Sequence, residues 1–155
     1  MGFYIAVAGI TIVVVIVLTV AHWRRTKVLV IVDGNSMLPT YRDGDRLLVK
    51  RDRTAHVREG QVIALAPEHV DEEGRVVPAH EVGDGSMWFI KRVAAAPGDR
   101  VPTHIDALSS QEGEVVPDGC LVILGDNASE SYDSRQEGFI DAQRLRGVVI
   151  RNLDA

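Results

Sequence analysis

The sequence predicts a mainly β, compact, barrel-like domain preceded by one N-terminal membrane-spanning helix, on three observations. Residues 3–23 carry no charged side chain. The remainder breaks into short apolar runs separated by Gly, Pro and Asp turns, the rhythm of strands rather than helices. A chain of 155 residues that gives its first 27 to such a segment keeps enough for one hydrophobic core and hardly for two. The expected division is residues 1–27 as anchor and flank and residues 28–155 as the folded domain.

From Phe3 to Trp23 the interior is almost wholly Ala, Val, Ile and Leu. At about 1.5 Å per residue, some twenty such residues cover the roughly 30 Å of a bilayer's hydrocarbon. The β-branched run Val13–Val17 favours a strand in water, but lipid offers the backbone no partners and so enforces helix. Trp23 suits the interface. Arg24, Arg25 and Lys27 follow the span, and the positive-inside rule taken alone leaves the folded domain in the cytoplasm.

Lys27 to Val32 is the first expected strand. Asp43-Gly44-Asp45 is a turn into the strand Arg46 to Lys50, and Glu59-Gly60 precedes Gln61 to Ala66, which Pro67 closes. Residues 68–86, rich in acids, Gly and Pro, are expected as a surface excursion. Met87 to Ala96 is a strand ended by Pro97-Gly98-Asp99, and Cys120 to Leu124 is one ended by Gly125-Asp126-Asn127. A short helix is expected within Phe139 to Leu145, and a last strand from Gly147 to Arg151.

Composition excludes several classes. A formal net charge of -5 gives no basic footprint for nucleic acid. The single cysteine, Cys120, excludes an internal disulfide and sits in an apolar run that reads as structural. Histidines 22, 56, 69, 80 and 104 lack zinc-like spacing, so neither metal nor cofactor is expected.

Three segments carry chemistry. Gly34-Asn35-Ser36 bends sharply after a strand, and Pro39 withdraws a backbone donor just beyond, so Ser36 can be both exposed and aimed. Along the strand from Met87, alternation puts Phe89, Lys91 and Val93 on one face and Ile90 and Arg92 on the other. A lysine at its ordinary pKa of about 10.4 is only roughly 0.1% neutral near pH 7.5, so Lys91 serves as a base only if burial lowers that value. The loop Gly125 to Arg135 is dense in pairing groups. Ser131 can hold the lysine amine in line, and Asp133 with Arg135 can stiffen the loop.

Taken in order, these segments closely resemble the bacterial type I signal peptidase family and its mitochondrial inner-membrane relatives. Ser36-Met37-Leu38-Pro39-Thr40 is similar to its nucleophile box, Gly44-Asp45 to the next, and Lys91-Arg92-Val93 with Pro97-Gly98-Asp99 to its base box. Gly125-Asp126-Asn127 through Asp133-Ser134-Arg135 is similar to its last. The resemblance runs from about Val30 to Val149. It implies a membrane-bound serine endopeptidase with Ser36 as nucleophile and Lys91 as general base, supported by Ser131, Asp133, Arg135, Asp126 and Arg92. Some members carry a hydroxyl two positions before the nucleophile, where this chain has Gly34, which excludes a side-chain oxyanion donor from that position. The short stretch between Pro97 and Gly125 lacks the inserted subdomain of larger members.

The resemblance further implies that the partners are signal-peptide-bearing preproteins and the lipid bilayer, with cleavage after small residues and the catalytic domain outside the cytoplasm. Met37, Phe89 and Ile90 are candidate pocket walls, although Phe89 and Ile90 are equally suited to core packing. Two other readings are a cytoplasmic self-cleaving repressor-type Ser/Lys protease, which fits the charge flank, and a non-catalytic anchored β module.

Overall fold

The computed structural model describes residues 9–19, 26–52, 56–67, 69–70, 76–77 and 88–155. Residues 9–19 form a helix, α1, exposed throughout. The rest of the expected span, residues 3–8 and 20–23, lies outside the described residues, and among the described residues no helix is long and apolar enough to cross a membrane.

The six expected strands form, and three short ones at residues 69–70, 76–77 and 140–141 add to them. β1 is Lys27–Ile31, β2 Arg46–Arg51, β3 Val62–Leu65, β4 His69–Val70, β5 Val76–Val77, β6 Phe89–Ala95, β7 Cys120–Leu124, β8 Ile140–Asp141 and β9 Leu145–Asn152. All but β4 and β5 join one sheet in the order β1-β2-β9-β3-β6-β7-β8. Every pairing in it is antiparallel. β4 and β5 pair with each other, the only described backbone of the expected excursion apart from its borders. Among the described residues no pairing joins β1 to β8.

β2 shows how residue choice sets the layers. Leu47 and Val49 are fully buried while Arg46 and Lys50 reach solvent, the period-two pattern of a strand with one covered face. β3 differs, because all four of its residues are buried. Ile63 and Leu65 enter one apolar cluster with Val93, Leu121 and Ile123. Val62 and Ala64 enter a second with Val32, Met37, Leu47 and Ile90. The sheet's centre is thus covered on both faces. A third cluster under residues 101–116 closes the far end around Val122.

Gly147 is where β9 squeezes between β2 and β3. A methyl group there would lie 2.2 Å from the Lys50 carbonyl oxygen and 2.8 Å from a Val49 methyl. Backbone cannot retreat as a flexible side chain can. Gly147→Ala is expected to destabilise the domain by about 2–4 kcal/mol, read as a lower denaturant midpoint. An unchanged midpoint would contradict this packing.

The short helix expected within Phe139 to Leu145 is a 3₁₀ helix at Ala142–Arg144. The unexpected strand β8 precedes it. Ile140 is fully buried and pairs with Leu121, so the core draws this segment into the sheet. A separate, unexpected helix, α2, stands just upstream at Ser134–Glu137. Asp133 caps it by accepting from the Arg135 N–H, while the Gln136 side chain accepts from the Asp133 N–H.

Candidate active site

Lys91 lies opposite Ile63 in the middle of the sheet, and β3 and β7 flank its strand. Its side chain is 6% exposed. The amine Nζ donates to Ser131 Oγ at 2.9 Å, and that hydroxyl donates onward to Asp133 Oδ2 at 2.6 Å. Since the single Ser131 proton is committed to the carboxylate, the hydroxyl offers Lys91 only lone pairs. A neutral amine therefore spends a hydrogen on Ser131 and keeps its own lone pair for another partner.

Burial holds the Lys91 pKa below the ordinary lysine value. The Asp133 carboxylate opposes that shift and the Arg135 guanidinium adds to it.

Asp133 is itself fully buried and organises the loop. Its Oδ2 also accepts from the Gly125 N–H at 2.7 Å. Arg135 donates to the Gly125 carbonyl at 2.8 Å and lies 3.5 Å from Asp133 Oδ2. Ser134, also buried, accepts from the Ile123 N–H at 2.9 Å, tying α2 to β7.

Ser36 is half-buried on the turn that follows β1. Gly34, at φ +85°, adopts the left-handed conformation that the bend requires, and its N–H donates to Asp43. The Leu38–Pro39 peptide bond is cis. Asn127 fastens this turn, donating from its backbone to the Ser36 carbonyl at 2.9 Å and from its carboxamide to the Asn35 carbonyl at 3.1 Å. Gly125 lies where the two halves meet. A Cβ there would come within 2.2 Å of Ser131 Oγ and 2.7 Å of the Ser36 carbonyl oxygen.

On the opposite face of β6, Arg92 grips Asp126 with two hydrogen bonds of 2.8 and 2.6 Å and donates to the Gly60 carbonyl at 2.8 Å. Thr40 donates to the same carboxylate and accepts from Arg92 at 3.3 Å. Nucleophile turn, base strand and the 125–135 loop are thereby clamped together. The Arg92 hydrogen bonds hold the Asp126 pKa below the usual carboxylate value. A depressed carboxylate stabilises the fold above its ordinary pKa, and that contribution disappears as pH falls through the lowered value.

Ser36 and Lys91 line one cleft of about 280 Å³, with Phe89 at its edge and Leu65 and Ile123 deep within it. Two proposed pocket residues are not there. Met37, 1% exposed, is a core residue that anchors the turn from beneath. Ile90, on the face opposite Lys91, packs in the same cluster. Alternation gives a side chain's face but not what covers that face, and here both faces of β6 are covered.

Sequence reasoning missed several groups that the fold brings to the cleft, among them Tyr132, Glu130 and the Glu137–Arg144 ion pair. Asp133 followed three residues later by Gln136 is a capping signature that could have revealed α2, and with it Glu137. Among the described residues no group of three or more His, Cys, Asp or Glu is arranged to hold a metal ion. Cys120 is a free, half-buried thiol in β7.

The family model described as signal peptidase, peptidase S26, matches residues 3–111 and 103–152. The chain is 32% identical over 133 residues to the probable signal peptidase I-1 of Synechocystis sp. and 30% identical over 135 residues to that organism's probable signal peptidase I-2. Each match covers 75% of this chain, and 65% and 58% respectively of the relative. The signal peptidase I of Bacillus caldolyticus is 26% identical over 152 residues, covering 77% of this chain and 75% of its own.

Proposed function

The chain belongs to the signal peptidase family, peptidase S26, and from that membership we propose that it is a membrane-anchored serine endopeptidase that removes signal peptides from exported preproteins. The observation that carries the reading is a lysine only 6% exposed, its amine held by Ser131 and lining the same cleft as Ser36.

In this mechanism neutral Lys91 takes the proton from Ser36 Oγ as that oxygen attacks the scissile carbonyl. The lysinium then protonates the leaving amine, giving an acyl-enzyme and a free amino terminus. Lys91, neutral again, deprotonates a water that hydrolyses the ester. The Ser36 N–H, which has no acceptor among the described residues, supplies an oxyanion donor. Asn35 points its carboxamide at Glu130, 3.3 Å away, so the backbone is the better-placed donor. Ser131, Asp133 and Arg135 hold the base, and Arg92 and Asp126 hold the frame. Phe89 edges the pocket for the substrate's small residues.

Residues 1–27 act as the anchor and 28–155 as the catalytic domain in this reading. Its support is α1, where the apolar side chains from Val13 to Leu18 are each 48% or more exposed. A helix that nothing covers among the described residues and that is apolar on every described side is stable when lipid surrounds it. The twelve residues 24–35 between span and nucleophile keep Ser36 near the bilayer, where an inserted signal peptide presents its cleavage site. The catalytic domain then faces the extracytoplasmic side despite Arg24 and Arg25.

The test is mass spectrometry of products from a panel of preproteins incubated with the full chain in detergent micelles. New amino termini directly after a small residue such as alanine are expected. No cleavage, or cleavage after bulky residues, refutes the assignment.

A further inference from the structure

We infer that the Glu137–Arg144 ion pair determines specificity, giving the cleft one subsite for a neutral substrate side chain that both donates and accepts hydrogen bonds, such as Gln, Asn, Ser or Thr. This rests on the proteolytic reading above, since the pair lines the cleft that contains Ser36 and Lys91.

The two charged side chains are 24% and 12% exposed, far more enclosed than a surface pair. Arg144 is fixed from behind, its Nε donating to the Ala66 carbonyl at 3.1 Å and Nη1 to Glu137 Oε1. That leaves Arg144 Nη2 and Glu137 Oε2 without a protein partner among the described residues. One donor and one acceptor therefore remain beside the apolar walls of Leu65 and Ile123, which are 0% and 3% exposed. A carboxamide satisfies both at once. A leucine side chain in the same place strips water from both and returns nothing. An acidic or basic side chain meets one like charge of the pair.

The experiment measures kcat/KM on a set of preprotein substrates. All share alanine before the scissile bond, and each nearby position is varied in turn among Gln, Leu, Glu and Lys. The parent chain is expected to favour Gln over Leu at one position by about tenfold or more. Glu137→Gln, which leaves the guanidinium unopposed, is expected to shift that position toward Glu. The double variant Glu137→Leu/Arg144→Met is expected to reverse the order in favour of Leu. Should a single variant fail to melt cooperatively, the exchange Glu137→Arg/Arg144→Glu rebuilds the pair and is expected to restore the parent ranking. Identical rankings at every position in the parent and the double variant overturn the inference while leaving the protease intact. Cleavage that survives Ser36→Ala overturns the proteolytic reading and this subsite with it.

Discussion

Lys91→Ala is expected to lower preprotein cleavage by about 10³–10⁴-fold, and Ser36→Ala by at least as much, each with a cooperative melt retained. The two losses are not additive, because nucleophile and base act as one unit. The pH dependence identifies the base. Its neutral form is the active one, so kcat/KM of the parent rises as pH passes the lowered Lys91 pKa, below the pH at which an exposed lysine titrates.

Stability follows with its own sign. Below the lowered pKa the folded chain holds a buried cation that the unfolded chain would leave in water. The resulting penalty is relieved as pH climbs from the folded value toward the ordinary 10.5. Parent stability should therefore gain on Lys91→Ala across that window. A variant retaining more than a tenth of parental turnover, or two stability curves that stay parallel across that window, would remove Lys91 from its role.

Gly125→Ala is expected to cost about 10²–10³-fold in kcat with a modest fall in melting temperature. The added methyl meets Ser131 Cβ at 2.6 Å as well as Ser131 Oγ and the Ser36 carbonyl oxygen at 2.2 and 2.7 Å. Relief requires pushing the base's partner away from the nucleophile's backbone by several tenths of an ångström. Displacements of that order are costly to a pre-aligned pair of reactants. KM should change little, because the methyl contacts the catalytic frame rather than the cleft wall. Parallel measurement of Ser36 acylation by a covalent serine probe checks the cause, since the same fold loss should appear there. A kcat within threefold of the parent would mean the frame tolerates the shift.

Much of this was legible in the residues. Leu47 and Val49 alternate with charged neighbours, and β2 follows. Lys91 stands out as a lysine on an apolar face, whereas Ser36, a residue ordinary in turns, gains its meaning from the apolar Met37 and Leu38 beside it and from the other segments. The loop from Gly125 to Arg135 announced its pairing groups: Ser131 accepts from the Lys91 amine, and Asp133 lies 3.5 Å from Arg135.

What stayed hidden is tertiary. Met37 looked like a pocket wall because it sits beside the nucleophile, yet the turn folds it under into the core. Glu137 and Arg144 are seven positions apart on segments with no periodic signature, and only the return of β9 beside β3 brings them together. Gly125 gives no sign in sequence of what it must make room for. Phe139 and Ile140 carry no strand pattern, and β7 recruits Ile140 through pairing.

The register of β6 has a chemical meaning of its own. Neighbouring positions on it present an amine that can surrender its proton and a guanidinium that effectively never does. A slip of one residue along β3 or β7 would exchange them, leaving a fixed cation where a base is needed and a titratable group in the clamp. In this strand the alignment of the ladder therefore decides whether the protein can do acid–base chemistry at all.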